Sequence, residues 1–385
     1  MTASPRSSRT SPRPQVVVMG SGFAGFFAAR KLARADVDVT VLSATDGMLY
    51  QPLLPDVAVG TVDPRSVVVP LTSTLRGATL LRAQATSVDF DKRLVRYTSA
   101  NGGPGEVTYD RLLLAPGSVT RLLDIPGLAD HAIGLKTITE ALYLRDHVLL
   151  RLETANNLTD PAARRAALTF VVVGAGYAGV ELTAQMARLT RNLLPLHPAI
   201  AARDVRWVLV DAAKAAMPEL GARLGDTAMQ LLKKRGVDVR LEVSVSAVTD
   251  SEVSLTDGTT LDCSTLIWCA GVTANPLIDT LGLAKTKGRL DVDAFLHLPG
   301  HPEVYAAAVP DLTEPADDHG DRPLCPPTAG TPPRSRWRST HARHGATHRR
   351  QDCAHQDCPH RSPVRRCAGQ PGGRVDRRWR QVVSG

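Results

Sequence analysis

Two hexapeptides of identical glycine spacing dominate the chemistry open to this chain. Gly20-Ser21-Gly22-Phe23-Ala24-Gly25 follows Val16-Val17-Val18-Met19, and Gly174-Ala175-Gly176-Tyr177-Ala178-Gly179 follows the apolar run Leu168 to Val173. Each also opens a segment with helical patterning, Phe23 to Arg34 and Val180 to Arg191. In such a strand–turn–helix unit the first glycine permits a tight turn, the second lets backbone amides approach a diphosphate, and the third lets helix and strand pack closely. The helix N-terminus then meets the anion with unsatisfied N–H groups. A single copy is compatible with a purely structural turn, whereas two copies in matching settings point to two dinucleotides.

The residue closing the next strand distinguishes the two units. Val205 to Val210 ends at Asp211, whose carboxylate can accept ribose hydroxyls and repel a 2′-phosphate, so NADH is expected there rather than NADPH. Val37 to Leu42 ends instead at Ser43, with Asp46 three residues on; either Ser43 makes a weaker bond or Asp46 substitutes. Two nucleotides in one chain imply electron transfer between them. Hydride transfer of this kind needs no protein acid or base, because the cofactors carry the chemistry and the fold orients them.

The intervening elements must bring those turns together. Short strands are expected at Ser87 to Phe90 and Leu94 to Tyr97, and Leu112 to Leu114 leads into Ala115-Pro116-Gly117. Thr137 to Asn157 reads as a linking helix, and Ala222 to Arg235 as another, stopped by Gly236. Asp257-Gly258 signals a hairpin, Leu266-Ile267-Trp268 a buried strand ending at Cys269-Ala270-Gly271, and Arg289 to Val304 returns to the style of the first half. The expected class is α/β, with two Rossmann-like domains, one inserted in the other. The outer one takes 15–136 and 287–328 and the inner one 137–286, with residues 1–14 and 329–385 expected to be disordered.

Residues from about 14 to 328 resemble the type II NADH:quinone oxidoreductases, of the FAD/NAD-dependent pyridine nucleotide-disulfide oxidoreductase family. The resemblance rests on Gly20 to Gly25, Tyr50-Gln51-Pro52-Leu53-Leu54, Tyr109 through Gly117, Gly174 to Glu181, Ile267 through Val272, and His301-Pro302-Glu303-Val304-Tyr305-Ala306. It implies a flavoprotein with FAD on the first fold and NADH on the second. Expected FAD contacts are Gly20, Gly22, Phe23, Ala24, Gly25, Ser43, Ala115, Pro116 and Gly117, with Tyr50, Gln51 and Pro52 near the isoalloxazine. Expected NADH contacts are Gly174, Gly176, Tyr177, Ala178, Gly179, Asp211 and Gly271. Glu181, near the nicotinamide, and Gln51 are the expected catalytic residues. The bland alternative for Glu181 is a first-turn carboxylate favoured by the helix dipole. The resemblance further implies quinone or another small molecule as electron acceptor, a cytoplasmic protein peripheral to the inner face of the cell membrane, and a homodimer. The disulfide reductases of the family need a redox cysteine pair early in the chain, but no Cys precedes Cys263.

Two segments depart from that pattern. The Gly-Asp pair that normally follows the Val-Tyr-Ala segment to hold the flavin is missing, since Val304 runs through to Val309 and the next acid is Asp311. After Pro326-Pro327-Thr328-Ala329-Gly330, where relatives carry quinone-site and membrane helices, the chain turns rich in Arg, His and Pro. Residues 331–385 hold thirteen Arg and three Asp, a net of +10 against +8 for the whole chain, so residues 1–330 are slightly acidic. The basic balance is therefore local, and no nucleic-acid partner is expected. Cys353, His355, Cys358 and His360 match no finger spacing, so no metal is assigned. A composition break inside a recognisable motif is read as frameshifted translation, with impaired turnover expected. The competing reading is a truncated nucleotide-binding remnant with an empty flavin site. Neither a signal peptide nor a membrane-spanning helix is expected.

Overall fold

The computed structural model describes residues 12–286 and 288–307. The first glycine unit forms as the valine run dictates. Strand β1 (Gln15–Met19) is buried from Val16 onward and enters helix α1 (Phe23–Leu32), and β2 (Asp38–Ser43) lies parallel to β1. The chain then passes through the short helix α2 (Leu54–Ala58) into β3 (Ala78–Asp89), β4 (Leu94–Ser99), β5 (Pro104–Thr108) and β6 (Arg111–Leu114). The short strand expected at Ser87 to Phe90 is the far end of the twelve-residue β3. Its first part pairs parallel with β2, and its second part, from Ala83, pairs antiparallel with β4. No Gly or Pro interrupts residues 78–89, so one strand can serve both partners.

Strand β7 (Ser118–Thr120) leaves the first sheet and β8 (Ala132–Gly134) enters the second. Helix α3 (Ile138–Asn157) follows, capped by Thr137 and Glu140 in a reciprocal capping box, and then α4 (Pro161–Leu168), capped by Asp160. The second glycine unit comprises β9 (Thr169–Val173), α5 (Tyr177–Leu193) and β10 (Arg206–Asp211). Every residue of β9 is buried, as a central parallel strand with both faces covered requires. Helix α6 (Ala222–Lys234), β11 (Asp238–Leu241) and β12 (Thr265–Trp268) complete the sheet. Between the last two, Glu252–Leu255 and Thr260–Asp262 form the hairpin announced by Asp257-Gly258. Strand β13 (Val272–Ala274) leaves, and β14 (His297–Leu298) and β15 (His301–Ala306) rejoin the first sheet.

The first sheet runs β14-β15-β6-β1-β2-β3-β4-β5, with a parallel centre and antiparallel edges; the second runs β8-β12-β9-β10-β11 and is parallel throughout. One Rossmann-like fold is thus inserted in another. In each sheet the glycine turn follows the strand whose neighbours are reached in opposite directions, β1 and β9, the switch point at which such sheets bind ligands.

Candidate functional site

At the first turn Gly20 adopts φ +101°, and a Cβ there would lie 2.1 Å from the Ala115 carbonyl oxygen. The turn is closed by the Gly20 N–H donating to the Leu42 carbonyl at 2.8 Å. A Cβ on Gly25 would lie 1.9 Å from the Gly20 oxygen, so α1 packs tightly on the turn that precedes it. Gly22, by contrast, has nothing within 4 Å of its Cβ position. It caps α1 without any side-chain hydrogen bond, and the first turn holds no acid. Phe23 and Ala24, in that first turn, are exposed.

The second turn repeats the arrangement. Gly174 has φ +108° with its Cβ position 2.6 Å from the Cys269 oxygen, and that of Gly179 is 1.9 Å from the Gly174 oxygen. Gly176 again faces open space and caps α5 with no side-chain bond and no acid in the first turn. Helices α3 and α4 carry side-chain caps, whereas α6, entered through Gly221, is uncapped like the two glycine turns. Each turn leaves amide donors and room for a diphosphate, and in that respect the residues present fit dinucleotides. Helix α5 starts at Tyr177 rather than Val180, because Gly176 itself is the cap; Tyr177 and Ala178 therefore lie in the first turn, and Glu181 lies a full turn in.

The strand ends differ. Asp211 accepts the Ala175 N–H on Oδ2 and the Ala213 N–H on Oδ1, the latter at 2.7 Å. Ser43 is buried, with its Oγ 2.6 Å from Ser21 Oγ, and it donates to the Thr45 carbonyl at 2.7 Å. Asp46 is exposed and lies 3.9 Å from Arg82.

The two sheets meet through the ribbon β7–β13, in which Thr120, Val119 and Ser118 oppose Val272, Thr273 and Ala274. Its strands emerge from Ala115-Pro116-Gly117 at the carboxyl end of β6 and from Cys269-Ala270-Gly271 at the carboxyl end of β12. The Gly117 carbonyl accepts the Asn275 N–H at 3.1 Å and the Gly271 carbonyl accepts the Arg121 N–H at 3.2 Å. Across this register the two glycines are separated by roughly 13 Å. A crevice lined by Leu114, Pro116, Gly117, Ala274, Leu290 and Ala306 opens at the first sheet's carboxyl edge.

The Tyr50-Gln51-Pro52 segment belongs to the same junction. Exposed Tyr50 packs edge-on against Phe23, with centroids 5.7 Å apart. Pro52 is exposed and half-buried Gln51 donates to the Lys136 carbonyl at 3.2 Å. The following α2 packs against α3 and α5, and Gln185 donates to Asp56 at 3.4 Å. Gln185 lies one helical turn beyond Glu181, so both sit on the α5 face turned toward α2. Lys136 is a residue sequence reasoning missed. Its Nζ donates to Ser118 Oγ at 2.9 Å and lies 3.5 Å from Gln51 Oε1, and its N–H donates to Glu140 at 2.9 Å. Burial lowers the Lys136 pKa, and the Glu140 carboxylate opposes that shift. A lone lysine before a helix carries no sequence signal. The segment 308–311, where the family's Gly-Asp pair is wanting, and the tail lie outside the described residues. Among the described residues no group of three or more His, Cys, Asp or Glu is placed to hold a metal ion. No helix among them is long and apolar enough to cross a membrane.

The profile of the pyridine nucleotide-disulphide oxidoreductase family matches residues 14–313. The chain is similar to the type II NADH:quinone oxidoreductases Ndh and NdhA of Mycobacterium tuberculosis. It is 35% identical to Ndh over 318 residues, covering 78% of this chain and 68% of Ndh. It is 37% identical to NdhA over 313 residues, covering 77% and 66%. It therefore spans about two thirds of the length of these relatives. In fold it is similar to NDH2 from Plasmodium falciparum, solved in complex with NADH, with a TM-score of 0.72 at 22% identity over 76% of this chain and 63% of that one. On the family profile and the identity to Ndh and NdhA, this chain belongs to the pyridine nucleotide-disulphide oxidoreductase family.

Proposed function

We propose that the chain is an FAD-dependent NADH dehydrogenase that takes hydride from NADH and passes electrons to quinone or another small acceptor. The observation that carries this reading is the β7–β13 ribbon, which ties the carboxyl edges of two sheets whose glycine turns are both uncapped and open. FAD on the first fold and NADH on the second would then share one junction.

When bound, the flavin supplies the hydride-accepting chemistry. In this reading the residues of the chain bind and orient. Gly22, Phe23, Ala24 and Gly25 present amides to the FAD diphosphate, and Gly176, Tyr177, Ala178 and Gly179 to that of NADH. Asp211, already fixed by two N–H donors, offers its remaining lone pairs to the ribose of NADH and repels a 2′-phosphate. Ser43, with Ser21, does the weaker equivalent for FAD. Ala115, Pro116 and Gly117 border the flavin and Gly271 the nicotinamide. Tyr50, Gln51 and Pro52 shield the isoalloxazine, and Glu181 orients the nicotinamide carboxamide from α5. No side chain needs to move a proton for the hydride step.

The proposed domain division is 15–136 with 287–328 for FAD and 137–286 for NAD. Cytoplasmic residence at the inner membrane face and a homodimer complete the reading; vesicle co-sedimentation and solution mass test these. The functional reading is tested by colour. The full chain is expected to purify yellow or to take up FAD, and Gly22→Ala, folded, to remain colourless. A wild-type protein that binds NADH yet takes up no FAD would instead support the remnant.

A further inference from the structure

Lys136 differs from the ion-paired cations of the described chain in position and in partners. Arg13, Arg65, Lys92, Arg96, Arg206 and Lys285 all pair with carboxylates. The ammonium of Lys136 instead reaches two neutral oxygens, Ser118 Oγ and Gln51 Oε1. Its main chain is anchored separately, because the Glu140 carboxylate takes its N–H along with the N–H and hydroxyl of Thr137. The capping box of α3 thus fixes the backbone while the side chain reaches Ser118 and Gln51 at the junction of the two folds. Ser118 is the residue after Gly117, and Gln51 also donates its amide back to the Lys136 carbonyl. The lysine consequently ties together the segment proposed to border the isoalloxazine and the ribbon that joins the sheets.

We propose that Lys136 is a positioning residue with an electrostatic function: it orients Gln51 and supplies the positive charge that favours reduced flavin. This inference rests on the proposed function. In the hydride step the C–H bond at the dihydronicotinamide breaks, its electron pair and hydrogen form an N–H bond on the flavin, and NADH becomes NAD⁺. The flavin is left with one additional negative charge, and a fixed cation held in a partly buried site stabilises that form more than the oxidised one.

The test uses the full chain loaded with FAD and equilibrated against a reference dye. Lys136→Met is expected to give about tenfold less reduced flavin at the same dye ratio, equivalent to a two-electron potential ~30 mV more negative. Lys136→Arg is expected to restore most of that loss. Ser118→Ala, which removes one anchor and keeps the charge, is expected to give about a threefold change in the same direction, and it reads out the proposal should Lys136→Met fail to fold. An unchanged potential in folded Lys136→Met, or in Ser118→Ala if that alone folds, would overturn the role of the lysine and leave the function standing. Wild-type protein that takes up no FAD would overturn the functional reading and this inference with it.

Discussion

The two glycine turns share one backbone solution and differ in the side chains at the strand end beside them. In both, the first glycine presses on the carbonyl of a third strand's end and the third glycine presses on the first. In the second turn the carboxylate of Asp211 takes two backbone N–H groups. In the first turn two serine hydroxyls hold each other, with no charge. On the proposed function, backbone geometry provides diphosphate binding in both, while strand-end chemistry selects the nucleotide. In the proposed reading the second fold chooses NADH over a phosphorylated relative, and the first holds its ligand with neutral groups.

The largest effects expected follow from the shared part. Gly20→Ala and Gly174→Ala each force a Cβ against a backbone carbonyl at positive φ, and should destabilise the chain by about 3 kcal/mol in denaturant melts. Gly22→Ala and Gly176→Ala add a Cβ in open space and should change stability by less than ~1 kcal/mol. Their effect should fall on ligands, on the order of a hundredfold in affinity, for FAD in the first case and NADH in the second. Equal loss of both ligands in either variant would break the separation of the sites.

Next come the strand ends. Asp211→Ser gives the second turn the residue of the first. It should weaken NADH about ten- to a hundredfold, the range of a lost charge-assisted hydrogen bond, and narrow the preference over NADPH. The paired change Ser21→Ala with Ser43→Asp gives the first turn the chemistry of the second and should tighten FAD by about tenfold. Equilibrium titration by fluorescence measures both.

Much of this was legible in the sequence, for physical reasons. The valine runs and glycine spacings predict β1–α1–β2 and β9–α5–β10, because only glycine fits turns that back onto a carbonyl. Ser43 and Asp211 were identifiable as strand-end residues. What was not legible depends on contacts between distant segments. The β7–β13 ribbon joins residues 118–120 to 272–274, and neither triplet reads as a strand by itself. Lys136, Gln185 and Asp56 acquire their positions only when α2 packs against α3 and α5. The helix start at Tyr177 was missed because Gly176 and Gly179 hide the periodicity that begins plainly at Val180.

Smaller effects sharpen the contrast further. Glu181→Gln should raise the KM for NADH by about three- to tenfold with FAD content unchanged, as expected for one hydrogen-bonding group on the nicotinamide side. His147, in the second fold, contacts Thr265 Oγ1 at 2.8 Å through Nε2, and burial, with Arg151 adding, pushes its pKa down to about 4. The unfolded chain binds that proton near pH 6.5, so the stabilisation is complete above that pH and is lost as pH falls toward 4. Allowing for partial exposure, it amounts to about 2 kcal/mol. His147→Gln should flatten this part of the stability profile.

The central claim is that the two turns deliver their ligands to one junction. Anaerobic titration of the FAD-loaded chain with NADH, followed by the visible absorbance of the flavin, tests it most directly. One equivalent of NADH should bleach the flavin, and Gly176→Ala should require a large excess. Flavin that stays oxidised while NADH is demonstrably bound would contradict the account.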